Sequence, residues 1–226
     1  KTDLIAMLTA QTVTYLNRGM HAITMCEFMN VLVLMHKDLI PPDPVDEETT
    51  EWDKVEWTAE YDVSKALQSM KHNVDQLGVI SDLSLIREAV NELKPGIVFN
   101  LLEEFDREAV FDQNVVSYLE LLKVAYTGCN PRGLMIALDK ALSKKILAYH
   151  KIGVPKFCVF PRSQPKRKPK SLEFPLIVKC LNEEASLGLT QASVVRSEEK
   201  LYEQVKHINE DIGVDAIAEQ FIEGKE

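Results

Sequence analysis

The sequence predicts an α/β fold with a parallel sheet in its N-terminal half. Two short apolar runs, Val31 to Met35 and Ile97 to Leu101, show no alternation and suit strands buried on both faces. Segments with helical periodicity lie between them, and strand alternating with helix is the signature of a parallel sheet. The 226 residues are 46% hydrophobic and 27% charged, enough for a core in one or two domains and too apolar for a disordered chain.

Residues 1–29 place Leu4, Ile5, Leu8, Val13 and Leu16 at roughly helical spacing without a stop signal, and form an N-terminal extension with no assigned role. The first strand, Val31 to Met35, delivers His36, Lys37 and Asp38 to its C-terminal end. Pro41 to Asp53 is an acidic, proline-bearing loop, either a surface excursion or a lid over a substrate. Residues 60–76 read as an amphipathic helix with Val63, Ala66, Leu67, Met70 and Val74 on one side. Gly78 stops it, and Val79-Ile80 follows as a short strand. Ser81 and Asp82 are cap candidates for a helix through Leu93, closed by Lys94-Pro95-Gly96. Ligands of parallel sheets sit beyond the C-terminal ends of the strands, so Asn100, Glu103 and Glu104 after the 97–101 strand are candidate substrate residues. Adjacent carboxylates also make an ordinary solvated turn; in a site, one would grip a substrate ammonium or position a reacting group. A helix over 112–122 and a strand from Val124 to Thr127 complete this half at Gly128.

Asn130 and Pro131 are an N-cap and a first helical residue, starting a helix that runs to about Lys151 and ends before Gly153 and Pro155. Its apolar stripe is Leu134, Ala137, Leu138, Ala141, Leu142 and Ile146. Lys140, Lys144 and Lys145 leave that stripe, where a lysine is ordinarily a solvated charge. Phe157 to Phe160 is a strand. The basic loop Pro161 to Lys170 has no interleaved aromatics and reads as solvated. Leu176 to Lys179 is a strand ending in a charge. Leu189 to Val195 alternates well enough to pair with it, making 182–188 a hairpin tip. Ser197 caps a helix through Ile208, and Ala216 to Glu219 is the last strand.

The net charge of −9 argues against non-specific nucleic-acid binding, which depends on neutralising phosphates. Cys26, Cys129, Cys158 and Cys180 fit no zinc or CxxC spacing and read as thiols of a reducing compartment. No apolar run approaches the ~20 residues that span a bilayer, and the start of the chain lacks the order of a signal peptide. A cytoplasmic protein is expected, with neither nucleic acid nor membrane as partner.

One pattern in the second half points to a nucleotide. Lys140 and Lys179 supply point charges suited to phosphates. The small-residue loop Asn182 to Gly188 offers backbone N–H groups to the same oxygens. The carboxylates of the last segment, Ala218 to Glu226, can accept from an adenine amine and from ribose hydroxyls.

The same residues carry a family resemblance. Tyr126-Thr127-Gly128, Leu138 to Lys144, Gly153-Val154-Pro155, Phe174 to Lys179, Glu183 to Gly188 and Glu219 to Glu226 resemble, in order and spacing, the ATP-grasp ligases, and among them the D-alanine–D-alanine ligases. No single segment is specific; six in register across residues 97–226 are. The resemblance implies an N-terminal pre-ATP-grasp substrate domain over 30–128 and the first α+β lobe of an ATP-grasp domain over 129–218. Residues 219–226 would be a hinge into a further lobe. It implies Lys140 and Lys179 on phosphates, Glu183 and Ser186 in the loop that folds over them, and Glu219 and Ile222 at adenine. Glu226 would bind ribose. On this mapping Lys179→Ala should weaken ATP binding far more than Lys144→Ala.

The implied activity is ATP-dependent ligation of a small carboxylate and an amine, such as an amino acid or a peptide, through an acyl phosphate. Magnesium would be required, its ligands and a catalytic arginine lying beyond the hinge, so this stretch alone should be inactive. Family members are often dimers, which leaves a homodimer open. Departures bear on the substrate. Where D-alanine–D-alanine ligases carry a His-Gly pair and then a Gly-Glu-Asp-Gly run, this chain has Asn100-Leu101 and Val110-Phe111-Asp112-Gln113, in which only Asp112 survives. No family glutamate is evident near His36, so D-alanine is not the expected substrate. Ala185 and Cys180 also replace a loop serine and a proline. The alternatives are an ATP-binding regulatory protein without turnover and a non-enzymatic interaction domain.

Overall fold

The computed structural model describes residues 28–164, 167–182 and 190–224. The chain divides into two compact units; the described part of the first is 28–106 with 115–128, and the second holds the rest.

The first unit is built on β1 (Asn30–His36), flanked by β2 (Asn73–Val79) and β3 (Ile97–Asn100) in the parallel order β2-β1-β3. Leu32 and Leu34 of β1 pack with Val79, Ile86, Val98, Val115 and Leu119. Val31, Val33 and Met35 point the other way and pack with Leu67. Both faces are covered, which is why β1 reads as an unbroken apolar run. Each such fully buried side chain contributes roughly 1.5–3 kcal/mol relative to exposure. The helices supplying the cover are α1 (Thr58–Ser69), α2 (Leu83–Leu93) and α3 (Asp112–Leu121). Asp82 caps α2 by accepting from Ser84 N at 2.8 Å.

Two expectations are corrected here. The helix read over 60–76 stops at Ser69, and the strand read at 79–80 begins at Asn73. Lys71 turns the chain with φ 67°, after which Val74 and Leu77 serve a strand pairing with β1 along its whole length. Seven residues of ladder outweigh one more helical turn with no partner for its far face. The strand read at Val124 to Thr127 is a single parallel bridge, Val98 to Tyr126.

Gly78 is set by the turn after β1. A Cβ there would stand 2.5 Å from Ile40 Cδ1 and 2.7 Å from Lys37 Cα, and the second atom is backbone. Gly78→Ala is therefore expected to cost about 1–3 kcal/mol of stability, measured by urea unfolding.

In the second unit, α4 (Pro131–Leu138) and α5 (Lys140–Tyr149) replace the single helix read over 130–151. Asp139 has extended backbone (φ −82°, ψ 94°) and its carboxylate caps α5, accepting from Ala141 N at 2.9 Å and Leu142 N at 2.8 Å. The side chain competes with the helix for those donors and breaks it at one residue. The sheet is antiparallel, with β4 (Phe157–Phe160), β7 (Ala216–Gln220), β5 (Leu176–Cys180) and β6 (Val194–Val195) in that order. The expected partner strand over 189–195 is reduced to those two residues of β6, preceded by a 3-10 turn over Gln191–Ser193. Leu189 and the tip over 183–188 lie outside the described residues. α6 (Glu198–Lys206), capped by Ser197, continues into a π-helical turn over His207–Ile212 that ends at Gly213 with φ 91°.

Candidate nucleotide-binding site

The two-residue period of the sheet builds the site. On β5, Leu176, Val178 and Cys180 face α6 and belong to the main core of the second unit, as do Ala216 and Ala218 on β7. The intervening residues therefore face the opposite side: Ile177 and Lys179 on β5, Ile217 and Glu219 on β7. Ile217 packs there with Ala141 of α5 and with Leu181. A small residue at 141 lets α5 lie close to the sheet. Lys144, one turn further along, then falls over the same face.

Three charged groups meet on it. Glu219 is only 3% exposed. Lys144 Nζ lies 2.8 Å from its Oε2 and Lys179 Nζ 2.7 Å from its Oε1. Oε1 has no hydrogen-bond donor on it beyond that ionic contact. Burial pushes the Glu219 carboxyl up; the two ammonium groups more than offset it and hold it below the ordinary carboxylate range. Lys140, at the first position of α5, donates from Nζ to the carbonyl of Leu181 at 3.4 Å.

The expected residues are thus placed unequally. Lys179 and Glu219 come together. Lys140 sits at the chain leading out of β5, and Ile222 is 63% exposed in the segment after β7. Glu183, Ser186 and Glu226 lie outside the described residues. Lys144, read as a solvated charge, is the correction: it is largely buried and shares the Glu219 carboxylate with Lys179. The signal was its spacing of three from Ala141, hidden by the assumption of one continuous helix. Both lysines contact the one carboxylate, so this geometry does not by itself rank Lys179→Ala above Lys144→Ala.

The first unit gathers a second set of polar groups at the C-terminal ends of β1 and β3. His36 Nδ1 accepts from Asp38 N at 3.3 Å, which leaves Nε2 carrying the proton, 3.6 Å from Glu104 Oε1. Asn100 Oδ1 accepts from Leu102 N at 3.3 Å and so shapes the turn that presents Glu103 and Glu104. Glu60, in the first turn of α1, is 5% exposed and its Oε2 has no hydrogen-bond partner. Its carboxyl is pushed up, first by burial and also by the nearby charge of Glu103. Glu60 was not singled out from the sequence, because the run Pro41 to Trp57 separates it from β1.

Among the described residues no group of three His, Cys, Asp or Glu side chains converges as metal ligands. No described helix is long and apolar enough to cross a membrane. Cys129, Cys158 and Cys180 form no disulfide among the described residues.

The first unit has a parallel sheet, and the second an antiparallel sheet with two lysines and a buried glutamate on one face; comparisons with known proteins show what this arrangement is similar to. An uncharacterised protein of Sinorhizobium fredii is 34% identical over 131 residues, 58% of this chain and 37% of its own. A D-alanine–D-alanine ligase of Bordetella avium is 30% identical over 116 residues, 51% of this chain and 35% of its own. The crystal structure of the D-alanine–D-alanine ligase of Bacillus anthracis complexed with ATP superposes with a TM-score of 0.62 at 22% identity, covering 87% of this chain and 60% of that one. No family profile matches the chain. The chain spans little more than a third of the length of these two relatives. Its fold matches the N-terminal domain and part of the ATP-grasp lobe of the Bacillus anthracis D-alanine–D-alanine ligase.

Proposed function

We propose that this protein is an ATP-dependent carboxylate–amine ligase, with the nucleotide on the Lys144, Lys179 and Glu219 face of the second unit. The carrying observation is the buried Glu219 carboxylate held between two ammonium groups, Lys144 on Oε2 and Lys179 on Oε1. The remaining acceptor capacity of that carboxylate suits the exocyclic amine of adenine, and the lysines suit phosphate oxygens. The residues present therefore fit ATP. Lys140 and, on the family resemblance, Glu183, Ser186, Ile222 and Glu226 complete the proposed nucleotide set.

In the reaction a substrate carboxylate oxygen attacks the γ-phosphorus and the bond to ADP breaks, giving an acyl phosphate. The amine nitrogen then attacks the acyl carbon, phosphate leaves, and the amine gives up a proton. What this chain supplies is position and positive charge: Lys144 and Lys179 stabilise charge on the phosphates without forming covalent bonds. In the first unit, Glu60 is the proposed seat of a substrate ammonium. It is the buried glutamate of the helix after the first strand, and supplies the group not found near His36.

The test is ADP release by the longest native form of the protein with magnesium-ATP and pooled amino acids and dipeptides. ADP appearing only when a pool is present is the expected result. ATP that binds without turnover under every pool would favour the regulatory reading, for which the replaced Gly-Glu-Asp-Gly run at 110–113 is the supporting observation.

A further inference from the structure

The ends of β1 and β3 carry more negative charge than one ammonium needs. Glu60 presents a buried, unpartnered Oε2. Glu103 lies close enough for its charge to act on Glu60, and Glu104 faces the imidazole of His36. Among the described residues no lysine or arginine forms an ion pair with Glu60, Glu103 or Glu104. Three carboxylates thus face at most one cation, His36, and only when its ring is protonated. A buried carboxylate oxygen with no partner is costly and is retained where a ligand completes it.

The neighbouring segment adds to this. Asp43 to Glu56 carries seven acidic side chains against Lys54 within it and Lys65 of α1, 3.8 Å from Glu47. It is fastened to α1 beside Glu60: Tyr61 donates to Glu47 Oε1 at 2.5 Å, and Trp52 and Trp57 pack on the Tyr61 ring with centroids 5.2 and 6.0 Å away. Negative charge is therefore held next to the strand ends, where it raises the local concentration of cations.

Building on the ligase reading, we infer that the amino acid taken up at the ends of β1 and β3 carries a second positive charge in its side chain. Glu60 receives the α-ammonium, and Glu103 with Glu104 receives the basic side chain. A neutral side chain, as in alanine, would leave Glu103 and Glu104 without a cationic partner from the ligand. A basic side chain gives them charge-assisted contacts.

Isothermal titration of the longest native form with lysine and with norleucine, each as both enantiomers, tests this directly. Norleucine has the same carbon chain and lacks the ε-ammonium. The tighter-binding lysine is expected to exceed norleucine of the same hand by about tenfold or more, the ratio that one charged contact supports. In Glu103→Gln/Glu104→Gln, where the residues changed are not core residues, the ratio should fall to about threefold or less. Norleucine binding as tightly as lysine, lysine not binding, or a preference that survives in the double variant each overturns the inference. The ADP assay separates the two readings. Turnover with neutral amino acids and no lysine preference would sink this inference alone. Lysine binding without turnover would sink the ligase reading alone.

Discussion

Lys144→Ala and Lys179→Ala are each expected to weaken ATP binding by about tenfold or more, and by similar factors. Both ammonium groups contact the same buried carboxylate, at 2.8 and 2.7 Å, so both reach the same volume above the sheet. A charge-assisted contact to a phosphate oxygen contributes roughly 1.5–3 kcal/mol, and each variant removes one. Lys145→Ala changes an exposed neighbour and should leave affinity alone. Titration calorimetry with ATP and the three variants decides it. A loss confined to Lys179→Ala would make Lys144 a structural partner of Glu219 and nothing more.

Glu219→Gln should produce the largest stability loss in the second unit, about 3 kcal/mol. Removing one member of a buried ion pair leaves the other charged and uncompensated, typically at about 3–5 kcal/mol. The lower end applies because both lysine side chains retain some exposure, 17% and 28%, and can turn their heads to water. The pH dependence has a definite sign. The folded-state pKa of Glu219 lies below its unfolded value, so its contribution is fully present above the unfolded value, about 4.5. It is lost as the pH falls through the folded value. The gap between wild type and Glu219→Gln should be widest at neutral pH and close in acid. Amide exchange of β4, β5 and β7 reads this unit by itself. A gap that stays constant from pH 7 down to about 3 would mean that the charge of Glu219 is not what the lysines stabilise.

Legibility in the sequence followed the physics of each element. β1 and β3 were readable because strands covered on both faces leave apolar runs with no alternation to misinterpret. α2 was readable because Asp82 and Lys94-Pro95-Gly96 are local signals at both ends. β2 was not, since Val74 fits a helical stripe as well as a strand, and only pairing with β1 decides between them. The site split in the same way. Lys179 and Glu219 are strand residues whose facing follows from alternation with buried neighbours. Lys144 depended on where α5 begins, and that rested on one capping carboxylate, Asp139, inside an otherwise continuous helical pattern. Glu60 depended on a contact environment created by residues far along the chain. An unpartnered buried oxygen has no sequence pattern at all.

The indole pair at the approach to α1 gives the molecule a built-in reporter. Trp52 and Trp57 are the chain's two tryptophans, and both belong to the first unit, with ring centroids 5.9 Å apart at 76°. The described part of the second unit holds only the tyrosines Tyr149 and Tyr202 as phenols. Emission excited at the red edge of the absorption band therefore follows the first unit selectively, and tyrosine-sensitive signals are needed for the second. Two indoles this close and this steeply inclined also couple excitonically. Their circular dichroism couplet is expected to disappear if the acidic segment is detached from Tyr61, for instance in Tyr61→Ala, a change readable without any label.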